Sequence, residues 1–189
     1  MAAGVALLLM LAAVQDSKAK PDAEDKKPFE SEAHLCKVGK PSGKELDWVF
    51  KTDRLPADGV VRVEHANIMN FYVLVRCQRP QPNQKLTVTD DSVGKYEQSV
   101  MSNANLKNQK KLKRSKGAFG STGDECHMLE FEYERAKSPD VFELRVWIFL
   151  SKANGYAYTI EVYSPNGVYD KLKQQVQSIL SRTTIKAKP

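Results

Sequence analysis

Hydrophobic and polar positions alternate with a period of two over most of the chain beyond Glu45, and that spacing predicts strands. Leu46, Trp48 and Phe50 share one face of a short strand, and Val61 and Val63 alternate with Arg62 and Glu64. From Ile68 to Cys77 apolar residues fall on both faces, which marks a central strand covered on both sides. Pro80 and Pro82 end it, because neither can donate to a ladder. His127, Leu129, Phe131 and Tyr133 share a face, and Phe142, Leu144, Val146, Ile148 and Leu150 form the most regular strand of the chain. Asn154-Gly155 then predicts a tight hairpin turn, since both of its central positions need positive φ, and Tyr156, Tyr158, Ile160 and Val162 alternate along the return strand.

Two segments switch to helical spacing. Val93, Tyr96, Val100 and Met101 predict an amphipathic helix over Asp90–Ser102, with Thr89 or Asp90 as its N-cap. After the break at Ser164-Pro165-Asn166-Gly167, the stripe Val168, Leu172, Val176, Ile179 and Leu180 predicts a closing helix over Gly167–Arg182. The expected architecture is an α+β sandwich: an antiparallel sheet of about six strands with helices against it.

A chain of 189 residues with 41% hydrophobic and 28% charged residues is one ordinary globular domain plus a processing segment. Residues 45–185 form that domain. Residues 1–15 carry no charge, and Val5–Val14 is an unbroken apolar run of about 15 Å as a helix. That is too short to cross a bilayer and fits a secretory signal, so the chain is expected to be exported, periplasmic or secreted. If the run is instead an uncleaved apolar helix, the chain stays in the cytoplasm. Residues 16–44 read as a flexible charged leader, since Phe29 and Leu35 are their few large apolar side chains, and residues 186–189 read as a tail.

The net charge of +6 has one address. Lys107, Lys110, Lys111, Lys113, Arg114 and Lys116 stand within ten residues that contain no acid, so this run alone accounts for the whole excess. It reads either as a landing site for an anionic partner or as an edge strand whose lysines discourage unwanted pairing. A protein face or phospholipid headgroup fits it better than nucleic acid, because no aromatic side chain interleaves the cations for base stacking.

Other motifs carry less. Gly117-Ala118-Phe119-Gly120-Ser121-Thr122-Gly123 lacks the Gly-Lys-Ser/Thr ending of a phosphate loop and precedes a strand rather than a helix, so it reads as a connection. Cys126 and His127 are consecutive in a strand and point to opposite faces, so they cannot act as a nucleophile and its base. Three Cys and three His lack the spacing of a zinc site, so neither a metal nor any other cofactor is expected. Within the domain the thiols are either all reduced or joined as Cys77–Cys126, with Cys36 left over. Trp147 and Tyr156 are candidates to line an apolar ligand pocket between sheet and helix. Glu143 and Arg145, with Trp147 and Phe149, mark a second strand face that is half-covered or turned to a partner.

From Phe142 onward the strand, Asn154-Gly155-Tyr156-Ala157-Tyr158-Thr159-Ile160, and a closing helix ending Ile179-Leu180-Ser181-Arg182-Thr183 resemble the PsbP/Mog1-like superfamily, which includes bacterial exported proteins. The upstream order is similar: a first strand with Trp48, two more strands, then the helix near Val93. The resemblance implies a sheet sandwiched by helices, no enzymatic activity, and an accessory or partner-binding role. It transfers no site, because members bind partners as different as a photosystem and a small GTPase.

Overall fold

The protein is described from a computed structural model, which covers residues 26–188 apart from Lys137 and Pro139. The apolar run expected to act as a signal lies outside the described residues. Seven strands form one antiparallel sheet in the order β3-β4-β5-β9-β8-β7-β6. They are β3 (Trp48–Lys51), β4 (Gly59–His65), β5 (Tyr72–Gln78), β6 (Leu106–Ala118), β7 (Glu125–Arg135), β8 (Val141–Leu150) and β9 (Ala157–Pro165). Helices α1 (Asp90–Met101) and α2 (Val168–Ser181) lie on opposite faces, so the sandwich architecture read from the sequence is the observed one, with seven strands rather than about six.

Alternation decides which helix covers which residues. Leu129, Phe131 and Tyr133 of β7 and Phe142, Leu144, Val146 and Ile148 of β8 pack with Val93 and Val100 of α1. The residues between them face the other way, where Val61, Val63, Val73, Val75, Tyr158 and Ile160 form a second core with Val176 and Ile179 of α2. Trp48 is fully buried in that core, and its Nε1 donates to Gln175 Oε1 of α2 at 2.8 Å. Thr89 caps α1 through a reciprocal pair of hydrogen bonds with Ser92. Gly167 begins α2 with φ of +71°, a conformation that costs a side-chain-bearing residue strain.

For residues 26–44 the flexible-leader expectation is corrected. Phe29–Ser31 and Cys36–Val38 are strands β1 and β2, which form a small sheet with β10 (Thr184–Ile185) in the order β1-β2-β10. Cys36 and Val38 are fully buried. The Tyr158 hydroxyl donates to His34 O at 2.6 Å, and Gly39 N donates to Arg182 O at 3.2 Å. A Cβ at Gly39 would stand 2.8 Å from Arg182 Cβ, so only glycine lets this strap pass so close to the end of α2. The tail is engaged as well: Lys186 Nζ donates to Glu30 and Glu32 at 3.2 and 2.6 Å. The sequence hid this because both N-terminal strands are three residues long and β2, the partner of β1, also pairs with β10 at the far end of the chain.

Two smaller expectations also change. The strand expected from Ile68 starts at Tyr72, because Asn70 takes φ of +62° and bends residues 66–71 into a turn. Asn154-Gly155 is not a two-residue turn, since of the pair only Gly155 has positive φ. Asn154 is instead buried and donates through Nδ2 to the Tyr158 hydroxyl and to Lys186 O, tying the β8–β9 connection to the C-terminal segment.

Candidate functional site

Strand β6 is the outermost strand of the large sheet and carries all six cations of the basic run. Register sorts them onto two faces. Lys111, Arg114 and Lys116 pair across from Phe131, Leu129 and His127 and so face α1, whereas Lys110 and Lys113 pair across from Glu132 and Glu130 on the α2 side. Register shifts between Lys107 and Lys110 and between Lys111 and Lys113 produce this sorting, and they leave Leu112 turned outward and 56% exposed.

Each face supplies carboxylates. On the α1 side Arg114 Nη2 donates to Asp90 Oδ1 at 2.7 Å, Lys116 Nζ to Asp90 Oδ2 at 2.9 Å and Lys111 Nζ to Glu97 Oε2 at 3.3 Å. On the α2 side Lys110 reaches Glu132 at 3.1 Å and Lys113 reaches Glu130 at 3.8 Å. These contacts hold α1 against the edge, and Lys116 and Arg114 hold the Asp90 carboxyl below its usual range. They do not cancel the run, since five of its six cations share four carboxylates, and Lys110, Lys113 and Lys116 keep half or more of their side-chain surface in solvent.

The half of the α2-side face over β6, β7 and β8 is not roofed by α2. Its side chains stand in cross-strand rows: Ser115, Met128 and Trp147 in one, and Lys113, Glu130 and Arg145 in the next. Together with Tyr169, Asp170 and Lys173 of α2 they line a trough of about 360 Å³. The Arg145 guanidinium lies 3.7 Å from the Tyr169 ring centre and pairs with Glu143. This is the half-covered face that Glu143 and Arg145 mark in the sequence. It brings Lys113 of the basic run and Trp147, the expected ligand-lining residue, into one site. Tyr156 is elsewhere, packed against the α2-side core with Lys188 Nζ 5.3 Å from its ring centre.

A buried polar cluster beneath α1 is not among the sequence expectations. Glu161, in the middle of β9, is 1% exposed beneath α1. Its Oε1 accepts from Arg76 Nη1 and from the Tyr96 hydroxyl, both at 2.8 Å, and its Oε2 accepts from the Tyr163 hydroxyl at 2.7 Å. Arg76 also binds Asp58, with Nη2 2.9 Å from Oδ2. Burial first, and Glu161 second, push both tyrosine hydroxyls well above their ordinary range. The adjoining cavity of about 200 Å³ is smaller than a typical ligand pocket of about 300–1,000 Å³. The available signal is that Arg76 and Glu161 are the single charged residues of strands β5 and β9, which are otherwise uncharged and largely apolar.

Cysteine and histidine chemistry is separated by the fold. Cys126 belongs to the α2-side core, while His127 lies on the α1 face with its Nδ1 3.7 Å from Asp90 Oδ1. Burial pushes the thiols of Cys36, Cys77 and Cys126 up to about 12, about 11 and about 12, which suppresses the thiolate. Burial, reinforced by Lys116, lowers the His127 pKa. Cys77 and Cys126 lie in one cross-strand row through Tyr158 and Phe149, three strand spacings and hence about 14 Å apart, so the one disulfide the sequence allowed inside the domain cannot form. All three thiols are free. The glycine-containing segment after β6 is the connection to β7, anchored by Phe119, which is buried and stacks on Phe149 at 4.5 Å. Among the described residues no cluster of three or more metal-ligating side chains forms, and no helix is long and apolar enough to cross a membrane.

The sheet order and the placement of the two helices define an α+β sandwich of the PsbP/Mog1-like fold. The structure is similar to cyanobacterial PsbP (CyanoP) from Synechocystis, with a TM-score of 0.57 and 11% identity over 84% of this chain and 91% of that one. It is similar to the Ran-binding protein Mog1p of Saccharomyces cerevisiae, with a TM-score of 0.53 and 7% identity over 85% and 95% of the two chains. It is also similar to LpqN of Mycobacterium tuberculosis, involved in cell envelope biogenesis, at a TM-score of 0.51 and 14% identity over 85% and 90%. No protein-family model matches the sequence, and no curated protein does.

Proposed function

We propose that the protein is an exported, non-catalytic binding module that engages an acidic protein partner through the cationic edge strand β6. The observation that carries this reading is the concentration of the entire charge excess on β6, the one long strand with an open edge among the described residues. Cations so arranged raise the encounter rate with an acidic surface and make binding steeply salt-dependent. The ion pairs already on β6 do not oppose it, because exposed pairs are worth about 0–1 kcal/mol each and exchange readily. That Mog1p is a Ran-binding protein supports protein docking as a use of this fold. The uncharged N-terminal run supports export.

A small apolar-ligand carrier is the second reading, favoured by Trp147 and Met128 on the trough floor. The same trough carries Lys113, Glu130, Arg145, Asp170 and Lys173, whose desolvation under an apolar ligand is costly. The protein-partner reading therefore leads.

The test is affinity capture from native extract at low and high salt, with the wild-type chain beside the triple variant Lys110→Glu, Lys111→Glu and Lys113→Glu. The expected result is a partner retained at low salt, released at high salt, and weakened by about a hundredfold or more in the variant. Equal retention by both chains would remove β6 as the docking surface.

A further inference from the structure

We infer that β6 takes an extended acidic peptide segment of its partner as an eighth strand of the large sheet. The inference rests on the reading of β6 as the docking edge and specifies how the partner is held.

The backbone supplies the first argument. β6 runs for 13 residues, pairs with β7 along its inner side, and has no strand beyond it among the described residues. Both irregularities lie before Lys113, so Lys113–Ala118 pairs with Glu125–Glu130 in unbroken register. That is a regular stretch of about 20 Å, the length of an ordinary strand, with a row of outward N–H and C=O groups available for pairing. At Gly117 the edge strand carries no side chain, and the neighbour nearest the place of its missing Cβ is the flexible Met128 Cε at 2.9 Å. Glycine in a strand often marks the close approach of another backbone.

Charge supplies the second argument and chooses the occupant. Lysine on an edge strand repels generic pairing, and a second copy of this chain would set Lys113, Arg114 and Lys116 against the same cations. An acidic segment reverses that sign on both faces at once, since Lys113 lies on the α2 side and Arg114 and Lys116 on the α1 side. Alternate side chains of the added strand therefore meet a cation whichever face they take. The device that keeps this edge free of other strands thus becomes its specificity for an acidic one.

The test uses the full chain and a fluorescent peptide of about ten residues alternating Glu and Thr. A second peptide of the same sequence carries backbone N-methyl groups on every residue, which keep the charge but remove the donors from both edges of the strand. A third replaces Glu with Lys. The expected result by anisotropy at low salt is binding of the first, at least about tenfold weaker binding of the second, and no binding of the third. Hydrogen exchange should show slowed amides within residues 113–118. Equal affinity for the first two peptides would overturn strand addition and leave capture by charge alone standing. If neither acidic peptide binds at low salt, or the Lys peptide binds as well as the Glu peptide, the inference falls together with the docking reading on which it rests.

Discussion

Replacing Glu161 with alanine should cost about 3–5 kcal/mol of folding stability, because it removes one partner of a buried ion pair and leaves the Tyr96 and Tyr163 hydroxyls without their acceptor. The carboxylate is 1% exposed and accepts from Arg76, Tyr96 and Tyr163. Its loss strands two buried hydroxyls, each worth about 1–3 kcal/mol when unsatisfied. Arg76 keeps Asp58 and 29% of its side-chain surface, which places the expected loss toward the lower end. The double variant Arg76→Met with Glu161→Leu should recover only part of the deficit, since it removes the half-paired Arg76 charge but still leaves the Tyr96 and Tyr163 hydroxyls without Glu161. Urea denaturation at neutral pH separates these outcomes. A loss below about 1 kcal/mol for the single variant would mean that the cluster contributes little.

Shortening the chain from the N-terminus should matter equally, but only beyond a particular point. Against a reference chain beginning at Lys26, removal of everything through Gly39 deletes β1 and β2 and leaves β10 without a partner. Leu35, Cys36 and Val38 leave the core, and Tyr158 loses the His34 carbonyl. Burying an aliphatic side chain of this size contributes about 1.5–3 kcal/mol, so the deletion should remove about 4–6 kcal/mol, a large share of ordinary domain stability. In a thermal melt that is a fall of about 10 °C or more. Coincident melting curves for the two chains would restore the flexible-leader reading for residues 26–39.

These two expectations lie where the sequence was hardest to read. The faces of β7, β8 and β9 were legible because each strand is long enough for alternation to show which side is apolar, and α2 because five apolar residues recur at helical spacing. Cys36 and Val38 were not, since a three-residue strand displays no period and its burial depends on β10, about 150 residues downstream. Asn154 misled for a related reason: its identity predicts a turn, while its side chain is committed to Tyr158 and the Lys186 carbonyl, partners that only the tertiary fold supplies.

The candidate site was legible in part. The basic run stood out as charge in sequence, and Glu143 and Arg145 stood out as polar positions on an otherwise apolar strand. Their meeting with Trp147 could not be read, because it depends on β6 pairing with β7 in one register and on α2 leaving that half of the face unroofed. Both readings of the run, docking site and protected edge, describe the same strand. The acidic partner proposed for β6 would satisfy both.

The most direct measurement of the account is an amide hydrogen-exchange footprint of the full chain with and without the partner recovered by salt-sensitive capture. The account expects slowed exchange concentrated in Leu106–Ala118, with β3 at the opposite edge unchanged. Protection confined to the β3 edge, or to the cavity beneath α1, with β6 unaffected, would contradict it.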